Sequence, residues 1–283
     1  MIGRHVNQQI PRMTRLTTWD EDNDTARFLR PMGLAIGPGE GSWGGQAMVS
    51  DELRIPGTDR IRSSVLACWA DMVSGSETMM QIPDRISLTV DLTIRPLAPP
   101  VAERVAIHSE ILKAGRSVVF CEARMFDEHG TLFALSHMTF QGSPRPDDAR
   151  DSAPVLGHTD QFGAIAPTYP SPFFEYLQIQ TTAPGTCELD RVPPVMNEAG
   201  TIQGGAVAAV IEAAAEDLHG PVGDMELHYL SAVRVGPAQA RATAAGGPGS
   251  VAAAGPWRVE LRDPGNGSRL CTLGLAWPVR IEY

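Results

Sequence analysis

The sequence predicts an α+β protein in which one unit, a short strand, a central helix and an antiparallel meander wrapped on it, is made twice. Three observations carry this reading. A stretch from Gly142 to Pro172, with six prolines and almost no periodicity, divides the 283 residues near their middle. On each side of it the same order recurs: an aromatic lead-in (Phe28-Leu29 before, Phe173-Phe174 after), a short strand, a helix, then several strands. Finally, the helical segments are the clearest part of each half. The expected organisation is a first unit over 1–141, a linker over 142–172 and a second unit over 173–283.

In the first half, Ser63 to Gly75 sets Val65, Leu66, Trp69, Met72 and Val73 on one helical stripe, and Gly75 stands where a helix-ending glycine belongs. In the second, Gly204 to Leu218 sets Val207, Val210, Ile211 and Ala214 on one face, with small residues nearly all around, which is the pattern of a buried helix. Strands follow each helix. Ile86 to Pro96, Arg104 to Gly115, Ser117 to Asp127 and Thr131 to Phe140 alternate or run apolar, with turns at Ala114-Gly115-Arg116 and Asp127-Glu128-His129-Gly130. The second half repeats this with MELHYLSAVRVG, AQARATAAGG, WRVELRD and RLCTLGLAWPV, the last two joined by a DPGNGS turn.

Composition sets the outer limits. Apolar residues at 43% and charged residues at 20% suit a folded core, and 33 acidic against 23 basic side chains leave −10, which opposes nonspecific binding to nucleic acid or anionic lipid. Cys68, Cys121, Cys187 and Cys271 form no CxxC and no dense framework, so they read as reduced, mostly buried thiols. The start shows no apolar signal segment, and the most apolar long run, Ala206 to Ala215, is broken by Glu212, far short of the ~20 residues a membrane span needs. A cytoplasmic protein with no membrane partner is expected.

Missing motifs narrow the chemistry. The seven histidines form no HxH, HxxxH or HExxH pairing, so no metal site is expected, and no organic cofactor either. A GxGxxG at Gly39, Gly41 and Gly44 runs into QAMVSDELRI, which alternates as a strand, whereas a dinucleotide fingerprint must open a helix. Neither a GxSxG elbow nor a GxxxxGK[ST] loop is present.

What is present is Asn197-Glu198-Ala199-Gly200-Thr201-Ile202-Gln203-Gly204-Gly205, followed by Glu212 on the helix. Asn197 precedes Gln203 by six residues and Gln203 precedes Glu212 by nine; Pro56, Arg62 and Asp71 repeat the same six and nine in the first half. This pattern resembles the N…G…HGG…(D/E) motif of hotdog-fold acyl-CoA thioesterases of the phenylacetyl-CoA and 4-hydroxybenzoyl-CoA type, and the doubling resembles a tandem (double) hotdog with antiparallel sheets each wrapped around a central helix. The motif histidine is replaced by Gln203 in one copy and Arg62 in the other. The resemblance implies composite sites, each acid facing the amide and helix start of the other unit. Asp71 would then meet Asn197, Gln203 and Gly204, and Glu212 would meet Pro56, Arg62 and Ser63.

The chemistry of these residue types fits thioester hydrolysis. Backbone N–H groups at a helix start, backed by the helix dipole, suit the oxyanion that forms at the carbonyl; a glycine there lets the thioester come close. A carboxylate on an apolar helix has its pKa pushed up toward that of a useful base, although base and direct nucleophile stay equally open. Plainer readings stand beside these: Asp71 facing solvent, Glu212 as a buried acid paired with Arg62, and Asn197 and Gln203 as ordinary residues of a turn before a helix. Arg95, Arg116 and Arg234 are candidates for the phosphates of coenzyme A. The expected function is hydrolysis of an acyl-CoA or acyl-carrier thioester by a homo-oligomer of such chains. The alternatives are a thioester-binding hotdog that no longer turns over, and a hotdog dehydratase or hydratase, which would need a histidine in the motif.

Overall fold

A computed structural model describes residues 17–18, 27–38, 43–82, 85–99, 103–144, 160–161, 169–197, 200–246 and 255–279. Most of the anticipated linker, and Glu198 and Ala199 of the motif, lie outside them. The first half contributes strands β1 (Thr17–Thr18), β2 (Leu34–Pro38) and β3 (Trp43–Met48), helix α1 (Ser63–Gln81), and strands β4 (Arg85–Pro96), β5 (Arg104–Ala114), β6 (Val118–Asp127) and β7 (Leu132–Pro144). The second contributes β8 (Asp160–Gln161), α2 (Phe173–Tyr176), β9 (Gln180–Ala183), β10 (Thr186–Leu189), α3 (Gly204–His219), β11 (Val222–Tyr229), β12 (Ala238–Ala244), β13 (Trp257–Asp263) and β14 (Arg269–Pro278).

Two helices come from the two apolar stripes. On α1 the residues Val65, Leu66, Trp69 and Val73 are fully or nearly fully buried, and α3 buries every residue from Gly205 to Ala215. The first helix runs past Gly75 to Gln81, further than the glycine suggested. SETMMQ continues the helix, and Gly75 sits inside it with Phe140 about where a side chain would point, 3.5 Å from the position of its missing Cβ. The ~1 kcal/mol cost of a helical glycine is offset by that packing.

All strands join one sheet in the order β1-β8-β2-β3-β5-β6-β7-β4-β11-β14-β13-β12-β10-β9. The sheets of the two halves are joined edge to edge, because β4 and β11 pair antiparallel with Leu92 opposite Leu227 and Asp91 opposite His228. The anticipated linker supplies β8, which pairs with β1 and β2 on the first half's outer edge. Helix α1 lies on β3 to β7, α3 lies on β10 to β14, and the two helices pack on each other over the β4–β11 seam. The strand expected to run from Met225 to Gly236 stops at Tyr229. Beyond it the loop is held by Asp263, whose carboxylate accepts the backbone N–H groups of Arg234, Val235 and Gly236 at 2.9, 3.1 and 2.8 Å.

One irregularity matters for the site. Along β4 the inward residues are Leu92 and Ile94, with Asp91, Thr93 and Arg95 facing out. Between Thr89 and Asp91 the pairing with β7 slips by a residue: Asp91 stands opposite Thr139 but Thr89 stands opposite Phe140, which is buried. Val90 is the extra residue of this β-bulge, and it turns Thr89 to the helix side of the sheet.

Candidate active site

The start of α3 is built by its own flanking residues. Gln203 takes an extended backbone as N-cap, and its side-chain oxygen accepts from Gly205 N at 2.5 Å and Ala206 N at 3.3 Å. Gly204 N–H, the first of the turn, has no partner among the described residues. The tyrosine that ends β11 leans on this turn: Tyr229 Oη donates to Gly204 O at 3.1 Å, and its ring lies 3.7 Å from where a Gly204 Cβ would be. Asn197 closes the loop before the helix. Its side-chain oxygen accepts from Thr201 N at 3.1 Å and Thr201 Oγ1 at 3.0 Å, while its own N–H donates to Thr201 O.

Helix α1, which carries Asp71, approaches the same turn. The two helices cross where Gly205 meets Cys68: the sulfur lies 2.5 Å from the position a Gly205 Cβ would take, so only glycine permits this approach. One turn on, Met72 Sδ accepts a long contact of 3.9 Å from Gln203 Nε2. Asp71 Oδ1 accepts a hydrogen bond from Thr89 Oγ1 at 2.5 Å, made possible by the bulge at Val90. Desolvation pushes the Asp71 carboxyl up to about 6, against the opposing pull of that hydrogen bond. Burial also raises the Tyr229 hydroxyl well above its usual range, and the nearby charge of Asp71 adds to this. Tyr229 therefore stands between the Asp71 charge, which it feels, and the first turn of α3, which it touches.

The equivalent end of α1 is arranged differently. Glu212 is fully buried; its two oxygens accept from Ser63 N at 3.2 Å and Ser64 N at 2.8 Å, the first N–H groups of α1. Arg62 Nη1 stands 3.8 Å from Glu212 and 2.6 Å from Glu216, with its guanidinium 3.7 Å above the Phe174 ring. Burial pushes the Glu212 carboxyl upward, and the Arg62 charge pulls against it. Pro56 lies exposed in a turn away from this cluster.

Against this geometry, residues 9–140 match the family model of the acyl-CoA thioesterase C-terminal domain. The first half of the chain is thus similar to that family. Three solved structures share the fold across nearly their whole length. A protein assigned as a thioesterase II from Thermobifida fusca YX is 15% identical, with a TM-score of 0.57 over 89% of this chain and 97% of that one. One assigned as an oleoyl thioesterase from Lactobacillus plantarum is 12% identical, at 0.56 over 88% and 97%. A conserved hot dog fold protein of unknown function from Alicyclobacillus acidocaldarius is 14% identical, at 0.54 over 89% and 98%. No curated protein matches the chain.

The structure thus brings Glu212 to Arg62 and Ser63, and relates Asp71 to the start of α3 only through Tyr229, which feels the Asp71 charge and donates to Gly204 O. It sets Asn197 in its loop, with no described contact to Asp71. The three arginines do not converge. Arg116 is exposed in the β5–β6 turn; Arg95 lies near Asp224 at 3.9 Å and over Trp277; Arg234 is exposed in the loop after β11, where Val233 O accepts from Ile202 N at 3.4 Å beside the start of α3. Sequence reasoning missed Thr89 and Tyr229. Tyr229 falls inside the strand expected from Met225 to Gly236, where nothing sets it apart, and Thr89 sits at an outward position of its strand by simple alternation. Among the described residues no three His, Cys, Asp or Glu side chains gather as metal ligands, and no helix is long and apolar enough to cross a membrane.

Proposed function

We propose that this chain is a double hotdog, units 1–141 and 173–283 joined by 142–172, that hydrolyses an acyl-CoA or acyl-carrier thioester at one composite site. What supports the reading is that Tyr229, whose hydroxyl touches the first turn of α3 in the second unit, feels the charge of Asp71 from the first, and that Met72, next to Asp71, contacts Gln203. The thioester carbonyl accepts the Gly204 N–H, with the positive end of the α3 dipole behind it, and the absence of a side chain at Gly204 leaves room for the approach. Thr89 fixes one oxygen of Asp71, which leaves the other to take a proton from water as that water attacks the carbonyl carbon. The carbon–sulfur bond then breaks, and the thiolate leaves with the proton Asp71 had taken. Arg234, beside the α3 start, is the arginine placed to meet phosphates of the arriving substrate.

A second reading, a hotdog that binds thioesters without turnover, is favoured by one observation: Gln203 occupies two of the N–H groups of α3, so a single backbone donor remains for the oxyanion. Free-thiol release from a panel of short, medium and aromatic acyl-CoA substrates separates the two. Hydrolysis that disappears in Asp71→Asn supports the enzyme; saturable binding with no thiol release from any member supports the silent binder.

A further inference from the structure

The two helix starts invite comparison, because Ser63 and Gly204 each open a helix, and Asp71 and Glu212 each follow eight residues later. Glu212 reaches the start of the other helix, whereas Asp71 makes no described hydrogen bond at the start of α3. Glutamate, one methylene longer, arrives: it holds Ser63 N–H and Ser64 N–H with both oxygens, so the carboxylate stands where a bound carbonyl oxygen would otherwise stand. Aspartate is held on the sheet by Thr89 instead, and no described group takes the Gly204 N–H. Other features at the α1 end look like the remains of a working cradle. Ser64 Oγ and Arg62 Nε are buried there with no hydrogen-bond partner among the described residues. A cleft lined by Ile55, Ile61, Leu66 and Val222 still opens beside Ser63, with Arg60 at its side.

We infer that the start of α1 is a second thioester cradle sealed by the protein's own acid, and that the length of the acid side chain decides which cradle is open. Each chain therefore binds one acyl thioester, at the α3 end. Arg62 holds the seal in place: paired with Glu216 and stacked on Phe174, it keeps Glu212 turned toward the helix. The inference rests on the proposed thioesterase reading for what the open cradle binds, but not for whether the other is shut.

The test exchanges one methylene in each direction in the full chain, Asp71→Glu and Glu212→Asp, and follows backbone amide resonances together with binding of the non-hydrolysable ketone S-(2-oxoheptyl)-CoA. In Glu212→Asp the Ser63 and Ser64 amide protons should move upfield as the carboxylate withdraws, and Gly204 should stay. In Asp71→Glu the Gly204 amide should move downfield, with the fold kept and ketone binding weakened at least tenfold from a wild-type stoichiometry of one per chain. Glu212→Gln, which keeps the length but has one acceptor oxygen, carries the same amide measurement if Glu212→Asp does not fold. Unmoved Ser63 and Ser64 amides, or two ketones bound per wild-type chain, would overturn the seal. Absence of ketone binding alongside the expected amide shifts would count against the thioesterase reading and leave the seal supported.

Discussion

Asp71 is under two opposed influences: removal from water favours its neutral form, and the Thr89 hydroxyl favours its charged one. Its carboxyl at about 6 makes it a base that is mostly ready at neutral pH, and the rate should fall as pH drops through 6. The sign for stability is the reverse of the usual carboxylate case. A pKa above the unfolded value means the folded state holds the proton more tightly, so a stability contribution present at low pH is lost as pH rises through about 6. Asp71→Asn should therefore abolish hydrolysis yet melt higher than wild type at pH 8, by an amount on the order of 1–3 kcal/mol, with the gap closing toward pH 4. Equal melting at pH 8 would show that the carboxylate carries no such strain. Thr89→Val keeps the shape and removes the donor. It should lower kcat/KM about 10–100-fold and move the acid limb of the pH profile upward, whereas Thr89→Ser should restore both. A rate loss with an unmoved limb would make Thr89 merely a packing residue.

At the scale of elements, the crossing of α1 and α3 decides how near the two halves of the proposed site come. Gly205 has Cys68 sulfur 2.5 Å and Cys68 Cβ 2.9 Å from where its Cβ would be, so even one methyl group must push the helices apart. Gly205→Ala should destabilise by ~1–3 kcal/mol and reduce turnover, and adding Cys68→Ala should recover part of the melting loss, read as a double-mutant cycle. Additive losses would place the two residues out of contact. This is also the scale at which legibility in the sequence divides. The helices could be read because Val65, Leu66, Trp69 and Val73 keep one period, and the acids because the same spacings occur twice. Gly75 misled because a glycine inside a helix and a glycine ending one look alike until Phe140, far away in the chain, is seen packed on it. Thr89 was illegible for a related reason: a single inserted residue, Val90, reverses the inward and outward faces, and alternation cannot show where a strand skips a count. The seal at Glu212 was half legible, since the pairing with Arg62 followed from the motif but the capture of Ser63 and Ser64 N–H depends on side-chain reach.

For the whole molecule, the β4–β11 seam makes the two halves one structure. A chain ending at 145 would leave β4 as a bare edge along its inner strand and α1 without the acid that caps its start. Expressed alone, that piece should aggregate or pair with itself; a soluble, cooperatively melting monomer in sedimentation would argue against the shared sheet as a condition for folding. The capture of α1 by Glu212 also has a kinetic meaning. Two like sites facing each other across one seam can sense each other's occupancy, as ligand in one shifts the helices that shape the other. With a single receptive end there is nothing to sense. A dilute preparation of single chains should saturate along a plain hyperbola with a Hill coefficient of about 1, and any sigmoid curve would have to arise from chains assembling with one another.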